Sequence, residues 1–382
     1  MIHFILIMAG FFLDTQFLEA RRIHPKSIAE FVQKHPQTKW IQCTKDYMFE
    51  YPPFPLYQEH KDSYFPNKGY HRDISIIEVP NGVAYIDNSN HVYVNDIFVT
   101  ETQLKLLEPF QGSQYIERPD LNYVARVPGK VAVINHLYPY NYGLFVLEML
   151  TQIALLEIYN VEYDYLWIPY GCDWIQELLD IWGIDRAKII PLYLDRAIQA
   201  DAIILPTSVT QNDVLVFNTN YHPDFLIKYV RAKILNGMKQ RGVTIDLPKR
   251  IFISRKDARR FAPNEDEIFA LFEPLGYRRY ELVHFTPTQK IALFMNAEKI
   301  ISFMGSGSAN IVFADQNVHY FEVIHEVVEA SYYFICQTLG VKYSCINAST
   351  YNELLYGQVW NIGREIPLDL FKNYISQHSL EL

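Results

Sequence analysis

The segment Lys299-Ile300-Ile301-Ser302-Phe303-Met304-Gly305-Ser306-Gly307-Ser308-Ala309-Asn310 decides the fold. Its first six residues are an apolar run of strand length, and the glycines that follow must turn the chain. Ile311-Val312-Phe313 then opens a helix and His319 to Ile324 a further strand, so the segment is the centre of a βαβ unit. A glycine loop in that position offers backbone N–H groups and a helix N-terminus to an anion, usually a phosphate. On its own, G-x-G-x-x-N fits a plain tight turn equally well.

Upstream, Ile251-Phe252-Ile253-Ser254-Arg255 is a second apolar strand that ends on a cation. Asp257 to Asn264 is polar and contains Pro263, which marks a loop. Asn264 is then expected to cap a helix whose first turn carries Glu265, Asp266 and Glu267. Ile268, Leu271, Phe272 and Leu275 follow at helical spacing, and Gly276 closes the helix. Pro287 opens another helix through Ile291, Leu293, Phe294 and Ala297. Strand ends and helix starts share one edge of a doubly wound sheet, so Arg255 should meet the glycine loop there. That pairing suits a diphosphate, with Arg260 as a second cation. The competing expectation for Arg255 is an exposed charged cluster with Lys256, Arg259 and Arg260. Asn310 is expected to cap or brace the loop, and Glu322 to accept hydrogen bonds from ribose hydroxyls.

The first half of the chain repeats the alternation. Lys130 to Asn135 reads as a buried strand, His136 to Tyr140 as its loop, and Tyr142 to Tyr159 as a buried helix. Tyr165 to Pro169 is a strand, Trp174 to Trp182 a helix stopped at Gly183, and Lys188 to Leu192 and Ala202 to Leu205 further strands. Strands alternating with helices give a parallel sheet. Phe225 to Met238 is a long helix, and Arg241 to Pro248 links the two halves. Before them, Ser27 to Gln33 suits a short helix and Ile74 to Val99 a meander in front of the first sheet, with a hairpin at Asn81-Gly82. The tail adds helices at Tyr333 to Leu339 and Leu368 to Ser376. Ile2 to Leu13 is too short to span a membrane and lacks a preceding cation, so a buried first strand is favoured over a secretion signal.

Composition narrows the function classes. With 49% hydrophobic and 20% charged residues the chain is a folded globular protein. Its formal net charge of −9 argues against a general nucleic-acid partner, because no basic field exists to hold a phosphate backbone. The four cysteines have no metal-ligand spacing. A serine hydrolase would need G-x-S-x-G, and neither Ser306 nor Ser308 satisfies it. A dinucleotide fingerprint normally opens the first βαβ unit, not one near residue 305.

Several of these motifs occur together in one family. Ile253-Ser254-Arg255, then R-x-x-x-N-E from Arg260 to Glu265, Gly276-Tyr277 and G-S-G-x-x-N resemble the family-61 glycosyltransferases. Asn141-Tyr142-Gly143 through Glu148 resembles that family's N-Y-G-H-W-x-x-E. The matching parts extend over roughly residues 130–330. Two positions depart from the pattern, since Leu144 and Met304 stand where the family usually has histidine.

The resemblance implies an α/β protein of GT-B-like plan, two Rossmann-like domains facing a cleft, preceded by a β-rich extension. The boundaries expected are 1–125 for the extension, 126–240 for the acceptor-side domain and 241–382 for the donor-side domain with its C-terminal helices. It implies inverting transfer from a nucleotide-diphosphate sugar to a glycan or glycoconjugate, as in glycan or capsular polysaccharide biosynthesis. Arg255, Arg260, Asn264, Glu265, Gly305, Ser306, Gly307, Ser308, Asn310 and Glu322 would form the donor site. Inverting transfer also needs a general base near the acceptor hydroxyl, and His136 and Glu148 are the first-half candidates. For Asn264 and Glu265 ordinary helix capping competes, and for Glu148 a structural brace. No metal or cofactor beyond the co-substrate is expected. A cytoplasmic protein follows, with peripheral membrane association open, or an exported one if residues 2–13 act as a signal. The competing function, motivated by Leu144 and Met304, is a degenerate member that binds nucleotide or glycan without turnover.

Overall fold

The computed structural model describes residues 22–23, 27–50, 52, 68–71, 73–86, 92–95, 97–98, 116–117, 124–192, 197–209, 211–212, 220–242, 247–258, 261–324, 330–348 and 365–378. They form a mixed α/β structure with two sheets built around parallel strands. Residues 2–13 lie outside the described residues. Among the described residues no helix is long and apolar enough to cross a membrane.

Helix α1 (Ile28–Lys34) is held by a Ser27–Glu30 capping box. The first sheet has nine strands: β1 (Lys39–Gln42), β2 (Ser75–Pro80), β3 (Val83–Ile86), β4 (Val92–Val94), β5 (Ile97–Phe98), β6 (Ala125–Val133), β7 (Tyr165–Ile168), β8 (Ile189–Pro191) and β9 (Ala197–Pro206). Its parallel part runs β8-β7-β6-β9. Helix α2 (142–158) follows β6 and α3 (Asp173–Trp182) follows β7. The strand order reverses between β6 and β9, and that makes their C-terminal ends a topological switch point.

The expected hairpin at Asn81-Gly82 is not there. Both β2 and β3 pair antiparallel with β9, Pro80 opposite Ala202 and Val83 opposite Gln199, in one unbroken register. Asn81-Gly82 is a kink within a single long strand, with Asn81 at φ 50°. A Cβ on Gly82 would stand 2.9 Å from Ile203 Cγ1, so only glycine lets the strand lie this close. The local turn signal yields to tertiary pairing, and the meander belongs to the first sheet instead of standing in front of it.

Helix α4 (Asp224–Gln240) leads to the second sheet. That sheet contains β10 (Arg250–Ser254), β11 (Arg278–Glu281), β12 (Lys299–Phe303), β13 (His319–Ile324) and β14 (Lys342–Asn347), all parallel, in the order β11-β10-β12-β13-β14. Helices α5 (Glu265–Phe272), α6 (Pro287–Asn296), α7 (Ser331–Leu339) and α8 (Leu368–His378) accompany it. The chain starts in the middle, steps outward to β11, and returns past β10 to β12. The switch point therefore lies between β10 and β12. Within the glycine-rich segment itself, over Ser306–Phe313, the chain forms a 3-10 helix in place of the loop and α-helix expected there.

One apolar core joins the two halves. Ile134, Phe145 and Ile204 of the first share it with Ile253, Phe294 and Phe313 of the second. The other face of each sheet has its own cluster, Val131, Ile203 and Phe31 in one, Phe252, Phe321 and Phe371 in the other. Central strands buried on both faces must be apolar at nearly every position, which is why β12 and β13 show no alternation. Each such side chain contributes about 1.5–3 kcal/mol.

Candidate active site

A pocket of about 220 Å³ opens at the switch point of the second sheet. Ser254 and Arg255 form one wall, residues 305–308 another, and Tyr142 and Lys290 line it as well. The sequence motifs converge here. Glu265, fully buried at the start of α5, accepts the Ser254 hydroxyl at 2.5 Å on Oε1 and the Arg255 amide N–H at 2.8 Å on Oε2. Burial raises the Glu265 carboxyl above its usual range, opposed by those two hydrogen bonds and by the charges of Arg279 and Lys256. Glu265 thus fixes the strand end from which Arg255 projects and does not itself line the pocket.

The Arg255 guanidinium lies directly over Gly305, where any Cβ would collide with it. The Gly305 carbonyl accepts the Tyr332 hydroxyl at 2.7 Å, and the Ser302 and Ser308 hydroxyls are 3.1 Å apart. Asn310 braces the loop through Nδ2 to the Gly307 carbonyl at 2.8 Å. Its Oδ1 accepts the Tyr142 hydroxyl at 2.7 Å. Asn141 caps the start of α2 by accepting the Leu144 N–H at 3.2 Å. A Cβ on Gly143 would stand 3.1 Å from Ser306 Cα, so this glycine admits the loop's backbone. Asn-Tyr-Gly and the glycine loop, read as separate motifs, are two sides of one seam.

Lys290 was not singled out by the sequence. It projects from the first turns of α6, with Nζ 4.5 Å from the centroid of the Tyr142 ring. Burial lowers its pKa, opposed by the charges of Asp257 and Glu177.

A second polar cluster sits at the switch point of the first sheet. His136 follows β6 and is 4% exposed. Its Nδ1 accepts the Tyr138 N–H at 3.0 Å, which leaves the proton of the neutral ring on Nε2. That Nε2 has no partner among the described residues. Burial lowers the His136 pKa, with the Glu148 charge acting against it. Glu148 is fully buried in a π-helical segment, Phe145–Met149, within α2. Such segments inside α-helices recur at functional sites. His222 approaches Glu148 Oε1 with Nε2 at 2.8 Å, while Glu148 Oε2 and His222 Nδ1 have no partner among the described residues. No local pattern marks His222; the fold carries it to Glu148 across 74 positions.

Two donor-site expectations change. Asn264 makes no cap hydrogen bond. Its amide instead pairs with the Ile366 backbone, donating at 2.7 Å and accepting at 3.0 Å, and so ties down the segment before α8. Glu322 is fully buried, accepts the Tyr343 hydroxyl at 2.6 Å and is not among the pocket walls. The strand β14 that supplies Tyr343 covers it. Arg260 lies outside the described residues. Met304, at 3% exposure, is buried under the loop. Among the described residues no group of three or more His, Cys, Asp or Glu could hold a metal ion.

Residues 142–320 match the family model described as Glycosyltransferase 61, a span that opens on Tyr142 and closes ten residues past Asn310. This region is similar to glycosyltransferase family 61. That similarity supports a glycosyltransferase and implies a sugar donor and a glycan acceptor. No curated protein matches the chain. Among solved structures, a dodecameric iron-containing heptosyltransferase, TibC, in complex with ADP-D-beta-D-heptose is similar at 12% identity. The match covers 72% of this chain and 80% of that one with a TM-score of 0.28, too low for any inference about this chain.

Proposed function

We propose that this chain is an inverting, metal-independent glycosyltransferase that uses a nucleotide-diphosphate sugar in glycan or capsular-type polysaccharide synthesis. The observation that carries this is the placement of Arg255 over Gly305 at the switch point between β10 and β12. Ligands of open parallel sheets bind outside the carboxyl ends of the strands at such a point. A guanidinium and the N–H groups of a tight glycine loop supply positive field where a leaving diphosphate gathers charge. In this scheme Ser306, Gly307 and Ser308 contact the phosphates while Asn310 and Glu265 hold the frame. The division into an acceptor-side domain (126–240) and a donor-side domain (241–382) in the GT-B manner belongs to the same proposal.

Transfer breaks the bond between the anomeric carbon and the diphosphate oxygen and forms one to the acceptor oxygen, whose proton must leave. Glu148 is the group we assign to take it. It lies six residues along α2 from the pocket residue Tyr142, about 9 Å at 1.5 Å per residue. His222 orients its carboxylate, and His136 presents an N–H that suits the acceptor oxygen. A second function, binding without turnover, is favoured by the apolar Leu144 and Met304.

Incubation of the chain with a panel of nucleotide sugars and glycan acceptors tests the assignment. Release of a nucleoside diphosphate together with a product of inverted anomeric configuration is expected. Binding of donors without release would establish the binder; neither binding nor release would refute both.

A further inference from the structure

We propose that Lys290 is the second cation of a diphosphate clamp, taking charge that Arg255 and the glycine loop leave unneutralised. The inference rests on the nucleotide-sugar assignment and specifies how that pocket would tell a diphosphate from a monophosphate. Lys290 lines the same pocket as Arg255 but comes from α6, an element independent of both the β10 end and the glycine loop. Its ammonium has no hydrogen bond or ion pair among the described residues; its close neighbour is the π face of Tyr142 at 4.5 Å. A cation drawn partly out of water without an acceptor is costly unless an anion joins it. The ring holds the ammonium in place without satisfying its three N–H donors.

Charge and size point the same way. Asp257 also lines the pocket and offsets part of its positive field, so Arg255 alone would leave little net charge for a polyanion. Arg255 with Lys290 restores a surplus that one phosphate does not need and two do. At about 220 Å³ the pocket is smaller than the roughly 300–1,000 Å³ of sites that engulf a whole small molecule. It suits the phosphate-bearing part of a larger ligand. Tyr142 belongs to the seam between the two halves, and Lys290 rests on it. Occupancy by a diphosphate would therefore be felt at the start of the helix that carries Glu148.

Titration calorimetry of the full chain in EDTA tests this, with uridine, guanosine, adenosine and cytidine diphosphates and their monophosphates as probes. Wild type, Lys290→Met and Lys290→Gln are compared on the base that binds best, after a melting curve confirms that each variant is folded. Methionine keeps an unbranched stem on the Tyr142 ring without the charge, and glutamine covers the case in which methionine fails to fold. The wild type should prefer diphosphate to monophosphate by roughly tenfold or more, the value of a charge-assisted hydrogen bond. Both variants should lose that preference while monophosphate affinity stays within about threefold. A preference that survives both substitutions overturns the role of Lys290, and the donor assignment still stands if Arg255→Ala abolishes diphosphate binding. Failure of the wild type to bind any nucleoside diphosphate overturns both.

Discussion

His222→Ala is the substitution whose cost follows most directly from the geometry. The His222 and Glu148 side chains are 2% and 0% exposed, with 2.8 Å between them. Removing the imidazole deprives Glu148 Oε1 of its donor, and Oε2 has none among the described residues to compensate. Leaving a buried polar group unsatisfied costs about 1–3 kcal/mol. At about 2 °C per kcal/mol, the low end fitting a chain this long, the melting temperature should fall by roughly 2–6 °C. His222→Gln, whose amide can still donate, should lose less than half of that. Glu148→Gln placed on His222→Ala should recover part of the loss, because a neutral amide is cheaper to bury than a carboxylate. Circular dichroism melts and urea titrations of His222→Ala, His222→Gln, Glu148→Gln and the double mutant give the coupling. A loss under about 1 kcal/mol in His222→Ala would mean that the pair is not a dry hydrogen-bonded unit, and the positioning of Glu148 by His222 would be refuted.

Other predictions concern the seam and the donor loop. Glu265→Ala releases both the Ser254 hydroxyl and the Arg255 amide, so nucleoside diphosphate affinity should drop by roughly tenfold although Arg255 is intact; unchanged affinity would show that Glu265 does not position it. Gly143→Ala forces a methyl against Ser306 and should cost about 1–3 kcal/mol in denaturant unfolding, with no loss expected only if the loop can retreat freely. Donor turnover should survive chelation by EDTA, since residues 241–382 contain no D-x-D pair. Loss of turnover restored by manganese would displace the arginine-and-loop mechanism.

What the sequence made legible was whatever is encoded within about one element. Apolar runs marked β10, β12 and β13 because parallel strands buried on both faces cannot hide their composition. Edge strands escaped for the complementary reason. β11 is Arg278-Arg279-Tyr280-Glu281 and β14 begins Lys342-Tyr343-Ser344, and a strand with one open side tolerates such polarity. Asn81-Gly82 carries the same turn chemistry whether the chain reverses or only kinks, and the choice was made by β9, about 120 positions away. Asn264 meets Ile366 across 102 positions and so looked like a cap from its own neighbourhood. The π-helical segment at Phe145–Met149 is invisible in an apolar run that suits an α-helix equally well. The donor side was accordingly more legible than the acceptor side: Arg255 and the 305–310 loop end their own elements, whereas His222 and Lys290 matter only through what the fold sets beside them.

The measurement closest to the central claim is the shift in melting temperature on adding a nucleoside diphosphate, for wild type and Arg255→Ala side by side. At a hundredfold excess over the dissociation constant the ligand should stabilise the wild type by about 2.7 kcal/mol. That corresponds to a rise of roughly 5 °C. Arg255→Ala should show no rise with the same ligand. A wild type that no nucleoside diphosphate stabilises, or an Arg255→Ala variant that keeps the full rise, would contradict the placement of the donor diphosphate at the β10–β12 switch point.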